Sequence, residues 1–471
     1  MAAAARGAEA AGVDNLGYWL RAVPGDDLRP RPSLDGDEQV DVAIVGAGYT
    51  GLWIAYYLLV AEPSLRVLVV EKEVAGFGAA GRNAGWCVAS MDPPLELLAR
   101  TRGRETALRL FRAVCEAVDE IGAVAAAERL DADYVKGGSL TVTTNPAQEA
   151  RMRRQLANKR RLGLGDGDFR WLSAAESNAL IAVAGCRGAI YTPHCASVQP
   201  AALARRLADA VERHGGRIHE QTAALSVRPG EVLTTHGRVR AGTVVLATEG
   251  YTATLPDRAR FCLPLYAWMI ATEPLPDWVW QEVGWRDHEA LTDGRHLSAF
   301  AVRAADGRIT LGGVEFGYFF GSDVSARHEY APRVFNALQA LLHELVPQTR
   351  GARVTHCWGG PFGMSRRRWK DPALVYFDRR TGFAMVGGYF ADGVAPANLA
   401  ARAFVDSFLR RDTPTARLPL VSDVPRGWEP EPLRWLALSL SFRALRAADI
   451  AEGRRGRPTL RGAIIDRLYG E

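Results

Sequence analysis

The chain has 471 residues, more than one hydrophobic core usually covers, so two interleaved domains are expected. Its apolar fraction of 48% and charged fraction of 24% are ordinary for a globular protein. The net charge is only +5 and no basic stripe is interleaved with aromatic residues, which argues against nucleic-acid binding.

The predicted elements begin with residues 1–37, which are rich in Ala, Gly, Pro and charge and indicate a mobile or surface-draped lead-in. Arg6 and Glu9 interrupt its alanines, so it is not a secretory signal. No apolar run approaches the roughly 18 residues of a membrane span. The six cysteines are scattered, without CxxC pairs or metal-ligand spacing, as in a reducing compartment. We therefore expect a cytoplasmic protein without a metal site.

A βαβ unit follows the lead-in. Residues 40–45 form a short apolar run bounded by turn residues, which is typical of a strand buried on both faces. Residues 49–61 then predict an apolar helix that ends near Pro63, and residues 66–71 predict a second buried strand.

The turn of this unit has the pattern GxGxxG, formed by Gly46, Gly48 and Gly51. The first glycine permits a tight turn, the second lets the backbone approach a pyrophosphate, and the third lets helix and strand pack closely. Glu71 ends the second strand, where a carboxylate can accept hydrogen bonds from ribose hydroxyls and disfavours a 2′-phosphate. The unit predicts a dinucleotide site but does not distinguish FAD from NAD.

The later elements alternate between helical and strand patterns, with Asp306-Gly307 as a strong hairpin signal. They are helical residues 94–129, strand 134–144, helix 200–214, strands 217–220 and 239–247, hairpin 297–303 with 308–312, strand 382–388 and helix 397–410. The fold class predicted is α/β, with a Rossmann-like nucleotide-binding domain assembled from separated segments and an inserted antiparallel-sheet substrate domain. The predicted division is a lead-in at 1–37, a nucleotide-binding domain at 38–95, 195–260 and 351–412, a substrate domain at 96–194 and 261–350, and an extension at 413–471.

The segment after the second strand, residues 76–86, carries Gly81-Arg82-Asn83-Ala84-Gly85. With it, the chain resembles the D-amino-acid oxidase superfamily of flavoproteins, in the branch of amine and amino-acid oxidoreductases related to γ-glutamylputrescine oxidoreductase. In that family a Gly-rich stretch with Arg-Asn-x-Gly wraps the flavin side of FAD. The resemblance therefore implies FAD as the cofactor.

Three further segments extend the resemblance over most of residues 38–412. Residues 222–224 follow the strand where the family lays backbone against adenine, residues 244–250 resemble the strand and turn beside FAD, and residues 387–394 resemble the glycine turn whose amides face the flavin's carbonyl edge. No Gly-Asp motif of flavin hydroxylases occurs near 388–393, which disfavours aromatic hydroxylation. The residues expected to bind FAD are Gly46, Ala47, Gly48, Tyr49, Thr50, Gly51, Glu71, Lys72, Gly81, Arg82, Asn83, Ala84, Gly85, Ala224, Thr248, Gly250, Gly388, Gly393 and Val394.

The family's covalent FAD attachment is not expected here. The loop 76–86 has no histidine, and the covalent cysteine of sarcosine oxidase relatives matches Gly360 rather than Cys357. Those relatives also activate oxygen with a lysine whose counterpart is Thr310. We therefore expect non-covalent FAD, with oxygen or another carrier as the electron acceptor.

The resemblance implies oxidation of a C–N bond in a small-molecule amine or amino acid by hydride transfer to the flavin. Oxidation of a C–O bond, or flavin binding without turnover, are the alternatives. No residue is assigned as catalytic. Tyr266, Trp268 and Phe300 are candidates for an aromatic substrate wall, with Arg303 as the partner of a substrate carboxylate. Core positions for these aromatics and a solvated arginine are the competing interpretation.

Overall fold

The computed structural model describes residues 17–366, 372, 374–422, 427–459 and 462. Its strands are β1 (Glu38–Val45), β2 (Val67–Val70), β3 (Trp86–Val88), β4 (Ser139–Thr143), β5 (Arg170–Ser173), β6 (Gly188–Thr192), β7 (Cys195–Ser197), β8 (Arg217–His219), β9 (Ala224–Arg228), β10 (Glu231–Thr234), β11 (Gly237–Leu246), β12 (Cys262–Thr272), β13 (Ala290–Asp293), β14 (Ala299–Arg303), β15 (Ile309–Gly313), β16 (Val354–Ser365), β17 (Val375–Asp378), β18 (Phe383–Val386) and β19 (Val421–Ser422). Its α-helices are α1 (Tyr18–Arg21), α2 (Tyr49–Ala61), α3 (Ala79–Arg82), α4 (Leu95–Arg102), α5 (Arg104–Ala127), α6 (Pro146–Arg161), α7 (Ala174–Leu180), α8 (Pro200–Arg213), α9 (Asp277–Val283), α10 (Pro332–Leu345), α11 (Val394–Phe408) and α12 (Leu433–Arg455).

The first sheet has the order β19-β17-β18-β11-β1-β2-β8, with β10 and β9 attached beside β11. Its centre is parallel, because β1 pairs in the same direction with β11 and with β2. Of the central strands, β2 is buried along its whole length, and β1 and β11 are buried towards their carboxyl ends. Helices α2, α8 and α11 pack into the main core on one side of this sheet. This arrangement agrees with the predicted Rossmann-like unit.

The second sheet has the order β16-β12-β15-β14-β13-β4-β6-β5. It is mixed rather than purely antiparallel, since β13 runs parallel to β4. Its longest pairing joins β12 to β16, in register from Cys262 opposite Ser365 to Ile270 opposite Cys357. The predicted division put residues 354–365 in the nucleotide-binding segment 351–412, but β16 belongs to this second sheet. Strand pairing depends on a partner nearly a hundred residues away, which local pattern does not reveal.

The lead-in is packed where the structure describes it. In α1 the side chains of Tyr18, Trp19 and Leu20 are buried, and they pack beside Trp358 of β16. Further along, Arg31 forms an ion pair with the buried Glu220. Of the two predicted alternatives, these contacts contradict a mobile lead-in for residues 17–37 and leave a lead-in draped over the surface. Residues 1–16 lie outside the described residues.

Two other predictions have clear outcomes. The hairpin is confirmed, with β14 and β15 antiparallel around Gly307, whose φ is +80°. The helical stretch 94–129 is two helices, α4 and α5, because Gly103 between them has φ +88° and ends the first. Among the described residues no helix is long and apolar enough to cross a membrane.

Candidate active site

A cavity of about 1400 Å³ lies between the two sheets. It opens at the carboxyl ends of β1, β2 and β11, where parallel sheets usually bind nucleotides. The first residues of α2 and α11 also line it, so two helix N-termini, whose first N–H groups have no partner within the helix, face the same space. The volume exceeds that of most single-ligand pockets, which leaves room for a dinucleotide and a second small molecule.

The glycine-rich turn has the shape that its spacing predicted. Gly46 has φ +106°, and a Cβ atom on it would lie 2.6 Å from the carbonyl oxygen of Ala247. A Cβ on Gly51 would lie 2.0 Å from the carbonyl oxygen of Gly46. Gly48 differs, because a Cβ there would meet only the Cβ of Ala80 at 3.8 Å. Gly46 and Gly51 are thus required by the close backbone packing of the turn. Gly48 is not, and its missing side chain leaves open space in the cavity beside the backbone.

Glu71 lines the cavity at the carboxyl end of β2. Its carboxylate accepts hydrogen bonds from the backbone N–H of Ala47 at 2.8 Å and of Glu73 at 3.0 Å. Burial raises the pKa of this carboxyl above its ordinary value. The neighbouring Lys72 also lines the cavity, with its ammonium 3.9 Å from Glu73. A carboxylate held in this way can accept hydrogen bonds from the hydroxyl groups of a ribose.

The loop that carries Arg-Asn-x-Gly is shaped by Asn83. The amide nitrogen of Asn83 donates to the carbonyl oxygens of Ala79 and Ala80, at 3.1 and 2.8 Å, and its Oδ1 accepts from the N–H of Gly85 at 2.8 Å. Gly85 has φ +78°, and a Cβ there would lie 2.8 Å from the carbonyl oxygen of Val198. Asn83 therefore ends α3 and turns the chain into β3.

Arg82 is a buried cation in the cavity wall. Its guanidinium contacts Glu329 at 3.0 Å, donates to Tyr251 Oη at 2.7 Å and donates to the carbonyl oxygen of Gly359 at 3.1 Å. Although burial opposes the charge, Tyr251 and Glu329 keep the pKa of Arg82 above its ordinary value. Its Nε is buried and has no hydrogen-bond partner within the described part of the chain. An acceptor atom of a bound molecule would satisfy this donor.

The guanidinium of Arg82 lies against Gly360, the residue expected at the covalent-attachment position. A Cβ on Gly360 would lie 3.0 Å from Cζ of Arg82, so a side chain there would displace the guanidinium. Cys357 is buried in the core on the opposite face of β16 and is not among the cavity residues. Neither position presents a thiol to the cavity, and FAD held without a covalent bond stays a prediction.

Glu249 is a site residue that the sequence reasoning missed. It follows β11, lines the cavity, and accepts from the N–H of Gly388 at 2.6 Å. Burial raises its pKa to about 7, although backbone N–H groups including that of Gly363 partly oppose the shift. The amide of Gly388 therefore points to Glu249, not to the cavity as predicted. The N-terminus of α11, at Gly393 and Val394, lines the cavity instead.

The predicted FAD residues fall into two groups. Those that line the cavity are Gly46, Gly48, Tyr49, Thr50, Glu71, Lys72, Arg82, Asn83, Ala84, Ala224, Thr248, Gly393 and Val394. Those that shape its wall from behind are Ala47, Gly51, Gly81, Gly85, Gly250 and Gly388. In the second group close backbone packing, and not contact with a ligand, explains the glycines; a Cβ on Gly250, for example, would lie 3.1 Å from the Phe362 backbone.

The predicted substrate residues are mostly turned away from the cavity. Phe300 lines it, but Tyr266 and Trp268 are buried on the other face of β12, beneath α10. Arg303 donates to the carbonyl oxygen of Trp285 and stacks over Trp280, 4.2 Å from the ring centre, so it is not a cavity cation. Side chains alternate along a strand, and on β12 it is Ala267 and Met269 that face the cavity.

A phenylalanine cluster and the last helix supply the wall that the sequence did not indicate. Phe316, Phe362 and Phe390 line the cavity together with Phe442 of α12. Alternation along β16, where Gly360, Phe362 and Met364 share a face, is a sequence signal for one of them. The sequence contains no local signal for the contribution of α12.

These residues fit FAD. Two helix N-termini, a carboxylate at the end of β2, a buried arginine with an unsatisfied N–H, and a turn that leaves space beside Gly48 all face the cavity. The N–H donors suit two phosphates and a polar ring edge, and the carboxylate suits a ribose.

Comparisons with known proteins agree with this geometry. A model of the family described as FAD dependent oxidoreductase matches residues 41–407. γ-Glutamylputrescine oxidoreductase of Escherichia coli (strain K12) is 28% identical over 400 residues, which span 83% of this chain and 88% of that protein. Glycine oxidase from Geobacillus kaustophilus has a similar structure, with a TM-score of 0.65 and 22% identity over 80% of this chain and 96% of that one. Iminodiacetate oxidase from Chelativorans sp. BNC1 is also similar, with a TM-score of 0.62 and 17% identity over 82% of this chain and all of that one.

Proposed function

The chain belongs to the FAD dependent oxidoreductase family, and we propose that it oxidises a C–N bond in a small amine or amino acid. One observation carries the proposal: a single cavity has a dinucleotide end and, continuous with it, a second half enclosed by the mixed sheet. The relatives support the bond type, because γ-glutamylputrescine, glycine and iminodiacetate each contain an amine nitrogen.

Bound FAD would supply the acceptor for a hydride equivalent from the carbon next to nitrogen. The residues that would hold it are the turn at Gly48 with the first turn of α2 for the pyrophosphate, and Glu71 for the ribose. Arg82, fixed by Glu329, would present a positive charge and a free N–H on the loop expected at the flavin side.

The second sheet would position the substrate and keep water out. Met269, Phe300 and Phe362 project apolar groups from three strands into the cavity. An apolar enclosure favours the neutral amine over the ammonium ion, and only the neutral form can release a hydride equivalent from the adjacent carbon. No general base is required for this step, so no residue is proposed as catalytic.

The electron acceptor is proposed as oxygen or another carrier. Thr310, at the position of the lysine that activates oxygen in sarcosine oxidase relatives, is fully buried in the second sheet and outside the cavity wall. Reoxidation of the reduced protein by air, compared with an artificial carrier, would distinguish an oxidase from a dehydrogenase.

Anaerobic reduction tests the proposed function. The purified protein is expected to be yellow, and an amine should bleach the flavin absorbance while the corresponding alcohol should not. Bleaching by alcohols alone would replace C–N with C–O oxidation. Bound FAD that dithionite reduces but no organic donor reduces would leave only flavin binding.

A further inference from the structure

We propose that α12 completes a phenylalanine-lined subsite that holds an aryl group of the substrate, which makes an arylalkylamine, and not an α-amino acid, the preferred substrate. The inference rests on the proposed function, since it names the substrate class for the same cavity. Three observations carry it: an aromatic cluster, the element that closes it, and the charges around it.

The cluster contains four rings from four separate segments. The ring centre of Phe316 lies 5.7 Å from that of Phe362, 5.8 Å from that of Phe390 and 6.1 Å from that of Phe442. The rings of Phe362 and Phe390 are 5.7 Å apart, at an angle of 70°. These are the separations of edge-to-face aromatic packing, and all four residues line the cavity. A further phenyl ring is the chemical group that such a wall accommodates best.

The fourth ring comes from outside the matched family segment. The family match ends at residue 407, whereas Leu438, Phe442 and Leu445 of α12 line the cavity. The helix is fixed there, because Trp428 donates to the carbonyl oxygen of Met364 at 2.9 Å just before α12 begins. The part of the apolar wall that α12 supplies therefore lies outside the segment that the family model matches.

The cations around the cavity already have carboxylate partners. Beyond the βαβ unit, each Lys and Arg that lines the cavity in the described residues has a carboxylate partner within 4.0 Å. The pairs are Arg82–Glu329, Arg151–Glu452, Lys159–Glu96, Arg295–Asp293, Arg366–Glu429 and Arg434–Glu431. A substrate carboxylate would have to compete with these carboxylates for its partner, whereas an aryl group finds a complementary wall.

The experiment uses the full-length FAD-loaded protein and compares 2-phenylethylamine with ethylamine and glycine as donors. We expect kcat/KM to be highest for 2-phenylethylamine. Phe442→Ala should lower that value at least about tenfold, mainly through KM, and change the value for ethylamine by less than about twofold. Leu440→Ala is the matched control, because its side chain is on the same helix but 61% exposed. Phe442→Leu, which keeps an apolar side chain, should lose less than Phe442→Ala.

Binding is measured separately from turnover with 2-phenylpropan-2-amine, whose nitrogen-bearing carbon has no hydrogen to transfer. Its dissociation constant, read from the shift of the flavin spectrum, should be at least about tenfold below that of tert-butylamine, and Phe442→Ala should remove the difference. Glycine as the best donor, or equal losses for all donors in Phe442→Ala, would overturn the inference while leaving the proposed function intact. If no amine reduces the flavin, the proposed function fails, and the two non-oxidisable amines still decide whether the aryl subsite exists.

Discussion

At the scale of single residues, the three glycines of the turn at the dinucleotide end differ in how much space each has for a Cβ atom. Gly46 and Gly51 each face a backbone oxygen at less than 3 Å from a would-be Cβ, so they are required for the turn itself. Gly48 has φ −84° and free space beside it, so the polypeptide alone does not require a glycine there. Its small size is explained by a ligand that approaches the backbone.

Gly48→Ala should therefore leave the FAD-free protein as stable as wild type and weaken FAD binding by at least about tenfold, because a methyl group would stand where the pyrophosphate approaches. Gly51→Ala is the contrasting variant: it should destabilise the fold by roughly 1–3 kcal/mol with or without FAD, as its Cβ overlaps the Gly46 carbonyl. Thermal unfolding of the FAD-free proteins and FAD titration by fluorescence measure the two effects. Unchanged FAD affinity in Gly48→Ala would contradict the assigned pyrophosphate position.

Glu249 predicts a dependence of stability on pH. Its folded-state pKa of about 7 is above its ordinary value of 4.5, so the unfolded chain loses this proton first as the pH rises. The free energy of unfolding should fall as the pH rises from the lower of these pKa values to the higher, by about 3 kcal/mol at most. Glu249→Gln should remove this loss. The melting temperature of the variant relative to wild type should thus be higher at about pH 8 than at about pH 5.

The control for this measurement is Glu273→Gln. Hydrogen bonds from the backbone and side chain of Arg353 lower the pKa of Glu273, so its carboxylate is ionised at both pH values. The difference in melting temperature between this variant and wild type should stay constant over that range. The same pH trend in both variants would show that Glu249 does not titrate as described.

At the scale of elements, α12 lies beyond residue 407, where the family match ends, and charged contacts hold its C-terminal half. Arg151 on α6 forms a buried ion pair with Glu452, and His296 Nδ1 lies 2.8 Å from Asp449 Oδ1. Buried charges contribute to where an element docks, because each must find its partner, even where they add little net stability.

Glu452→Gln should loosen this docking, since the buried Arg151 would lose its counter-charge. We expect the whole protein to lose about 3 kcal/mol, and a protease to cut the C-terminal segment sooner than in wild type. Asp412→Asn is the control: it breaks the exposed pair of Asp412 with Arg417 and should cost less than about 1 kcal/mol. Equal melting temperatures for the two variants would contradict a structural role for the buried pair.

At the scale of the whole molecule, the chain passes repeatedly between the two sheets, and the cavity wall is built from both. FAD should therefore stabilise both sheets together, without a covalent bond. A free FAD concentration of 100 times the dissociation constant should add about 2.7 kcal/mol, seen as one unfolding transition that moves to higher temperature. Acid denaturation should release the flavin into the supernatant. Flavin retained in the protein pellet would contradict non-covalent binding.

The sequence by itself determined the βαβ unit, the glycines of its turn and the Asp306-Gly307 hairpin, because these depend on residues close together in the chain. Helix α2 was predicted with the bounds 49–61 that it has. The resemblance carried by residues 81–85 then identified the dinucleotide as FAD, and the family match agrees with FAD.

Only the tertiary structure decided which side of the second sheet faces the cavity. Strand alternation divides β12 into two faces but does not say which is inward. It fits a wall of Tyr266 and Trp268 as well as one of Ala267 and Met269, and it is the second pair that lines the cavity. The pairing of β16 with β12 and the position of α12 also depend on partners far away in the chain. The substrate half of the cavity is built from such long-range contacts, whereas the glycine turn and Glu71 at the nucleotide end lie within one βαβ unit. This difference explains why the cofactor could be predicted and the substrate wall could not.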